Sequence, residues 1–442
     1  MCYEEFIKNK RFRAVQSGFD ADLSGYPLFD YQQAITQWAL RRGKAAIFAD
    51  TGLGKTLMQL TWAAEVAKHT GGDVLILAPL AVSAQTIEEA RKFGIPCGDI
   101  INYEQLHNID TSKYVGVVLD ESSILKGLNG RIRRQITEAF ANTPYRLSCT
   151  ATPSPNDFME LGTQSEFLGI MSQVEMLAMF FIHDGSDTSK WRLKGHGRKK
   201  FFEWLATWAI FISKPSDLGF EDSAHDLPPL HYHEHVIESG ITDGLFAPIA
   251  QGLQERNTAR RDTVDARVQL AAEIANSIGG QVLVWCHLND ESQKLTESIR
   301  ECVEVTGSDH PDHKVKSMLD FAHGNLRALI TKPKIAGFGM NWQSCNHMVF
   351  VGLSDSWEQF YQAVRRCWRF GQDKPVHVHI ISADVEGAVL ANIKRKEQQN
   401  AELKAEMIAV MRDKSLAQLG KAKTEKTEYS ATKNMVVPKW VA

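Results

Sequence analysis

Through the first half of the chain, short uncharged apolar runs alternate with longer stretches whose apolar positions recur every three to four residues. Ala45 to Ala49, Val74 to Leu77 and Val115 to Leu119 have the composition of strands buried on both faces of a parallel sheet. Between them, Thr56 to Lys68 and Ile87 to Phe93 repeat at helical spacing, as crossover helices must. The pattern predicts a doubly wound α/β lobe. From about Ser154 to Phe220 the strand rhythm yields to aromatic helical segments around a Gly-rich basic loop, Asp184 to Lys200, which predicts a helical insertion. Asp226-Leu227-Pro228-Pro229-Leu230 then interrupts the chain, because consecutive prolines remove donors and force extended backbone.

Beyond that point Val282–Trp285, Ala328–Thr331, Met348–Val351 and Val376–Ile381 restore the strand rhythm, so a second α/β lobe follows, without an internal sequence repeat. After Asp384 a long polar helix is expected, with Leu403, Met407, Val410 and Met411 as its apolar stripe. The expected organisation is a first lobe over 1–230 with its insertion at about 154–220, a second lobe over 231–392, and a C-terminal helix with a basic tail over 393–442.

Composition narrows the class. At 442 residues the chain exceeds a single core, since domains hold roughly 100 to 200 residues. No apolar stretch approaches the roughly 20 residues of a membrane span, and the first residues lack the basic-then-apolar order of a secretory signal. A cytoplasmic protein without membrane contact is expected. The seven cysteines are scattered without a C-x-x-C pair, which argues against a disulfide framework or a cysteine zinc site. A net charge of −3 means that any nucleic-acid contact must come from local basic patches.

The strongest chemical signal is Ala49-Asp50-Thr51-Gly52-Leu53-Gly54-Lys55-Thr56, between a predicted strand and a predicted helix. Glycines there let backbone N–H groups converge on phosphate oxygens, Lys55 reaches the terminal phosphates of ATP, and the Thr56 hydroxyl can ligate Mg2+. Asp120-Glu121 follows the strand ending at Leu119, at the carboxyl edge where ligands of parallel sheets bind. Asp120 would hold the magnesium, and Glu121 would orient and deprotonate the attacking water.

The remaining segments fall in the order of the motifs of superfamily 2 helicases, and the chain most resembles their Swi/Snf-related double-stranded DNA translocases. Leu28-Phe29-Asp30-Tyr31-Gln32 is similar to the adenine-reading motif, which implies that Gln32, with Thr51, Gly52 and Gly54, contacts nucleotide. Leu77-Ala78-Pro79 and Ile101 to Leu106 resemble the first DNA-contacting motifs, and Thr150-Ala151-Thr152-Pro153 the coupling motif. Ala336-Gly337-Phe338-Gly339-Met340-Asn341 resembles motif five, with Gly339 toward the nucleotide. Gln362-Ala363-Val364-Arg365-Arg366-Cys367-Trp368-Arg369-Phe370-Gly371-Gln372 resembles motif six, which implies that Arg366 and Arg369 are arginine fingers and Gln362 a coupling residue.

On a helix continuing from Tyr361, the i, i+3 spacing would put both guanidiniums on one face. The resemblance covers about Leu28 to Asn392 and implies two tandem RecA-like lobes. The chain departs from it at Ser122-Ser123 and at Arg365, where many Swi/Snf relatives carry Asp. Its compactness is similar to the small helicases of tailed bacteriophages and prophages.

For nucleic acid the densest basic patch is Lys190, Arg192, Lys194, Arg198, Lys199 and Lys200, suited to a phosphate backbone or equally to a solvated loop. His231, His233 and His235 alternate along an expected strand; a metal needs further ligands than they supply, and a plain strand face is the reading taken. The expected activity is that of a monomeric, DNA-dependent ATPase using ATP and Mg2+ to move on duplex or branched DNA. A strand-separating or branch-migrating helicase shares every motif, and a nucleotide-switched DNA-binding module with slow turnover shares most of them.

Overall fold

The computed structural model describes residues 16–126, 130–154, 157–184, 187–222, 227–238, 263–336, 340–354, 356–384 and 387–420. In the first lobe α1 (Asp30–Arg42) precedes β1 (Lys44–Ala49), α2 (Lys55–Thr70), β2 (Asp73–Ala78), α3 (Leu80–Phe93), β3 (Asp99–Asn102) and β4 (Tyr114–Asp120). Then come α4 (Arg131–Ala139), β5 (Tyr145–Cys149), α5 (Glu160–Leu168), α6 (Gln173–Phe180), the antiparallel hairpin β6 (Phe181–Asp184) and β7 (Asp187–Leu193), α7 (Arg198–Leu205) and β8 (Ala209–Ile212).

The sheet is six-stranded and parallel, in the order β3-β2-β4-β5-β1-β8. Its strands are apolar because both faces are covered: Ala46 and Phe48 of β1 point into one core cluster, Ala45, Ile47 and Ala49 into the other. α2 is buried nearly all round between Met58 and Val66, with Trp62 fully enclosed, which fixes the helix that follows the phosphate loop.

The second lobe repeats the plan. It holds β9 (Leu230–Ile237), α8 (Val264–Ser277), β10 (Val282–Trp285), α9 (Asn289–Ser298), β11 (Cys302–Val305), α10 (Pro311–Ala322), β12 (Ala328–Thr331), α11 (Pro333–Ala336), β13 (His347–Val351), α12 (Trp357–Val364) and β14 (Val376–Ala383). Its parallel six-stranded order is β11-β12-β10-β13-β14-β9, with β9 and β14 in register over eight pairs. The expected α/β architecture of two doubly wound parallel sheets is therefore the observed one.

Four local expectations need correction. The stretch expected as a helical insertion contains β8, which returns to the first sheet as its edge beside β1. Four apolar residues, Ala209 to Ile212, are too few for periodicity to separate strand from helix. The basic loop Asp184 to Lys200 is largely ordered as β7 and the start of α7, and cross-strand pairs such as Ile182 with Arg192 replace the expected irregular backbone. β3 and β11 give no sequence signal because both are short and only partly buried.

The last correction concerns the C-terminal helix. It is α13 (Gly387–Gln418), following Asp384 as expected, but Val410 lies 36% exposed instead of in the apolar stripe. Met407 and Met411 do form a stripe, but it enters the core of the first lobe, whereas Val389 and Ile393 at the other end belong to the core of the second. Lys421 to Ala442 and the side chain of Leu403 lie outside the described residues. Among the described residues no helix is long and apolar enough to cross a membrane.

Candidate active site

The loop between β1 and α2 turns through Gly52 (φ +88°) and Gly54 (φ +71°), left-handed conformations that cost a residue with a Cβ atom. Space demands glycine as well. A Cβ on Gly54 would stand 2.1 Å from Gln32 Nε2, and one on Gly52 would stand 3.0 Å from the backbone nitrogen of Phe370 in the second lobe. The first absence lets Gln32 reach the loop, where its Nε2 donates to Leu53 O at 3.1 Å while its Oε1 accepts from Phe29 N at 2.9 Å. The second lets the lobes close. Lys55 Nζ donates to Ala49 O (2.8 Å) and Asp50 O (3.1 Å), and burial draws its pKa down to about 8 against the pull of Glu121, Asp50 and Asp120.

Asp120 ends β4 level with Cys149 of β5, itself level with Ile47 of β1, so the carboxylate edge and the phosphate loop share one height. Its Oδ1 accepts from Gln59 Nε2 at 2.8 Å, and burial raises the carboxyl to about 6. Glu121 sits at φ +57°, a strained value for a residue with a side chain. It is held there by hydroxyls: its Oε1 accepts from Thr150 Oγ1 at 2.7 Å and from Ser123 Oγ at 3.1 Å.

From Glu121 a line of hydrogen bonds crosses the cleft. Thr150 Oγ1 accepts from Thr152 N (3.0 Å), and Thr152 Oγ1 donates to Glu358 Oε1 (3.2 Å) and accepts from Gln362 Nε2 (3.3 Å). Gln362 Oε1 in turn accepts from Arg366 Nη2 at 2.8 Å. A carboxylate of the first lobe and a guanidinium of the second are thus joined through three side chains and one backbone N–H.

Arg366 and Arg369 do not lie on the helix expected from Tyr361. α12 stops at Val364, and bonds from Arg366 N to Ala363 O and from Cys367 N to Val364 O tighten the chain into turns. Both guanidiniums nevertheless converge, each donating to Met340 O at 3.2 Å. Burial draws Arg366 down to about 10; burial and then the repulsion of Arg366 draw Arg369 down to about 9, so both stay charged at neutral pH.

The arginine that bonds directly to the first lobe is one the sequence marked only as a departure. Arg365 Nη2 donates to Thr51 O at 3.0 Å and its Nε to Thr51 Oγ1, with Asp50 Oδ1 3.4 Å away. Lys126 pairs with Glu358 across the same boundary, and Asn341 donates to Gln85 Oε1 (3.0 Å) and Glu89 Oε1 (2.9 Å). Tyr361, Glu358, Lys126 and Lys404 escape sequence reasoning, and Asp50 and Arg365 are visible only as members of their motifs, because their partners across the cleft lie far away along the chain.

A cavity of about 270 Å3 collects the expected nucleotide residues: Gln32, Thr51, Gly52, Gly54, Lys55, Thr56, Asp120, Glu121, Arg366 and Arg369 line it, with Phe29 and Phe370 at its walls. Thr150, Thr152 and Gln362 stand behind it in the hydrogen-bond line. Gly339 lies outside the described residues, as does the side chain of Lys190. Thr56 and Asp120 offer a hydroxyl and a carboxylate to one cavity, hard oxygen donors that fit a magnesium ion.

Of the basic patch, Lys194 is spent on Ala178 O (3.0 Å) and Met179 O (2.9 Å) and Arg198 on Glu406, while Arg192, Lys199 and Lys200 are exposed. The alternating histidines of β9 stack with His377 and His379 of β14, and His233 Nε2 and His377 Nδ1 also share a hydrogen bond at 3.0 Å. Among the described residues no group of three or more His, Cys, Asp or Glu is arranged to hold a metal.

Two RecA-like lobes that bring a phosphate loop, paired carboxylates and two arginines to one interlobe cavity have the arrangement of a helicase motor. The comparisons agree: the family model described as DEAD/DEAH box helicase matches residues 29–143, and that described as helicase conserved C-terminal domain matches 265–371. Together they support a superfamily 2 helicase, indicate ATP hydrolysis and imply nucleic-acid binding.

Among curated proteins the chain is similar to the bifunctional helicase and thymine dioxygenase JBP2 of Leishmania tarentolae, 35% identical over 139 residues, and to that of Leishmania major, 31% identical over 139 residues. Each alignment covers 30% of this chain and 12% of the relative, so the chain spans a small part of those proteins.

Proposed function

We propose that the chain is an ATP-dependent DNA translocase or helicase in which Mg-ATP hydrolysis between the lobes drives movement on duplex or branched DNA. The observation that carries this reading is the line of hydrogen bonds from Glu121 to Arg366, because it makes the hydrolytic carboxylate and the second lobe one unit. The division into lobes near 230, with the segment before β8 inserted in the first lobe and α13 following the second, is part of the same proposal. The relatives' name supports DNA over RNA, since thymine is a DNA base.

Each residue then has a task. Gln32 contacts the adenine, and Lys55 with the N–H groups of the loop through Gly52 and Gly54 grips the terminal phosphates. Thr56 and Asp120 hold magnesium, which when bound neutralises phosphate charge. Glu121 orients the attacking water and accepts its proton. Arg366 and Arg369 stabilise the charge that develops on the transferred phosphoryl group, and an arginine supplied from another lobe makes hydrolysis depend on closure. Thr150, Thr152 and Gln362 report that event across the cleft. Arg192, Lys199 and Lys200 are the exposed basic residues offered to DNA phosphates.

ATPase rate is measured against duplex, forked and single-stranded DNA and RNA at two salt concentrations. DNA stimulation is expected, and equal rates with and without DNA would sink the proposal. Displacement of a strand from forked DNA, beside displacement of a third strand from intact duplex, separates unwinding from translocation alone.

A further inference from the structure

Behind the phosphate loop three distant segments meet at one carboxylate. Asp50 Oδ1 accepts from its neighbour Thr51 N at 2.8 Å and from Tyr361 OH of α12, and forms an ion pair with the Arg365 guanidinium 3.4 Å away. Asp50 Oδ2 accepts from Lys404 Nζ of α13 at 2.9 Å. The Asp50 and Arg365 side chains are only 14% and 7% exposed, and Lys404 27%. Burial pushes the Asp50 carboxyl up, but Lys404, Arg365 and Tyr361 outweigh it and hold it well below the ordinary range. Arg365 also grips Thr51 twice, so the second lobe holds the loop both through Asp50 and directly.

The helix that brings Lys404 is tied to both lobes. Val389 and Ile393 are packed in the second core and Met407 and Met411 in the first. Lys394 pairs with Glu234, Arg198 with Glu406, and Gln418 accepts from Trp38 Nε1 at 2.9 Å. Lys404 falls between these anchorages, where the helix passes the cleft. Ala49 and Asp50, whose carbonyls receive Lys55, belong to the segment that the Asp50 side chain fastens.

We propose that Arg365 and Lys404 are positioning residues of the ATPase site: by holding Asp50 and Thr51 they set the shape of the phosphate loop, which is complete only when the second lobe and the C-terminal helix are both docked. The inference rests on the ATPase reading, and adds to it a part of the chain beyond both matched helicase domains. Charge count supports it. Two cations share one carboxylate, so Lys404 can be removed and leave a balanced Asp50–Arg365 pair, whereas removing Asp50 leaves the buried Arg365 and the half-buried Lys404 without their shared counter-charge. A loop that grips phosphate in ground and transition states alike affects KM more than kcat when its shape is lost.

The test uses the full chain. Wild-type turnover examines the ATPase reading itself; the ratios between variants examine this inference. Lys404→Met is expected to raise KM for ATP about tenfold while kcat at saturation stays within about threefold, with an unchanged thermal midpoint. Lys404→Arg should restore KM to within about twofold. Arg365→Lys should not restore the loss seen in Arg365→Met, because a single ammonium nitrogen on a shorter stem lacks the planar fork whose separate nitrogens reach Thr51 Oγ1, Thr51 O and Asp50 together. A fluorescent ATP analogue should bind the Lys404→Met protein correspondingly more weakly in the absence of turnover. Unchanged KM in Lys404→Met, or KM and thermal midpoint moving together in Lys404→Met and Lys404→Arg alike, would overturn the proposal in favour of a purely structural helix.

Discussion

Glu358 offers a direct measure of what holds the cleft shut. It stands on α12 of the second lobe with its side chain 6% exposed, and both partners of its carboxylate, Lys126 and Thr152 Oγ1, belong to the first. Glu358→Ala removes an ion pair and a charge-assisted hydrogen bond, each about 1.5–3 kcal/mol where the charged group is buried. Part of that is returned. Burial raises the Glu358 pKa, which marks a desolvation cost that the variant no longer bears, and Lys126 is 37% exposed and can turn to water. The net loss should be about 1–2 kcal/mol, charged to closure and not to the fold of either lobe, and equivalent to a roughly 5- to 30-fold shift from closed to open.

The assay pairs kcat/KM for ATP with interlobe distance by fluorescence transfer between dyes on exposed sites of each lobe. Glu358→Ala should lower kcat/KM by the same factor as it lowers the closed population. Glu358→Gln, which keeps an acceptor for Thr152 and loses the charge facing Lys126, should fall between. Lys126→Met should reproduce the ion-pair part, and combining it with Glu358→Ala should add little, as expected of residues that share one contact. A Glu358→Ala protein indistinguishable from wild type in both measurements would refute the reasoning, since the ion pair would then be incidental to closure.

Three other outcomes are expected. Glu121→Gln should retain ATP binding while lowering hydrolysis by at least about a hundredfold, the range of a lost general base, as read by single-turnover phosphate release; hydrolysis near wild type would remove Glu121 from the mechanism. Glu291 lies 1% exposed against Arg267, and its Oε2 also accepts from His287 N and Leu288 N at 2.9 Å. Glu291→Ala should therefore cost about 3–5 kcal/mol in denaturant unfolding, the loss typical when one buried partner is removed, and a shift under 1 kcal/mol would contradict the pair's structural role.

The third concerns pH. Burial, then His233 and the other neighbouring imidazoles, draw His379 down to about 4 from its ordinary 6.5. The unfolded chain therefore binds a proton that the folded chain refuses, so this contribution is complete above about pH 6.5 and is lost as pH falls toward 4. Because His379 is partly exposed, solvent screening holds the effect to about 1–2 kcal/mol. His379→Gln should flatten that part of the stability profile, and an unaltered slope between pH 6.5 and 4.5 would count against it.

What could be read from the sequence divides by how far apart the cooperating residues lie. The phosphate loop was legible because its whole requirement is local: two positive-φ glycines, a lysine and a threonine between one strand and one helix. Strands buried on both faces were legible for the same reason, whereas β3 and β11, short and half exposed, left no pattern to detect. β8 was hidden by its own composition. Ala209 to Ile212 is uniformly apolar, and only pairing with β1 decides that it is extended.

The interlobe residues were illegible for a deeper reason. Arg365 belongs to a recognisable segment, yet nothing along the chain says that its partners are Asp50 and Thr51 more than 300 residues earlier. Lys404 is harder still, since a lysine on a long polar helix is ordinarily a solvated charge, and only the docking of α13 on both lobes makes it a ligand of Asp50. Motif order announces the groups that touch the nucleotide because those groups are constrained by its chemistry. The contacts that decide when those groups assemble are constrained only by one another, as the arginine at position 365 is matched in charge by the aspartate at position 50. The pair is attractive across the cleft, and the same two positions carrying like charges would oppose its closing. Reversing both charges, Asp50→Arg with Arg365→Asp, would keep the attraction but leave Lys404 facing a cation, so the swap alone would not rebuild the site.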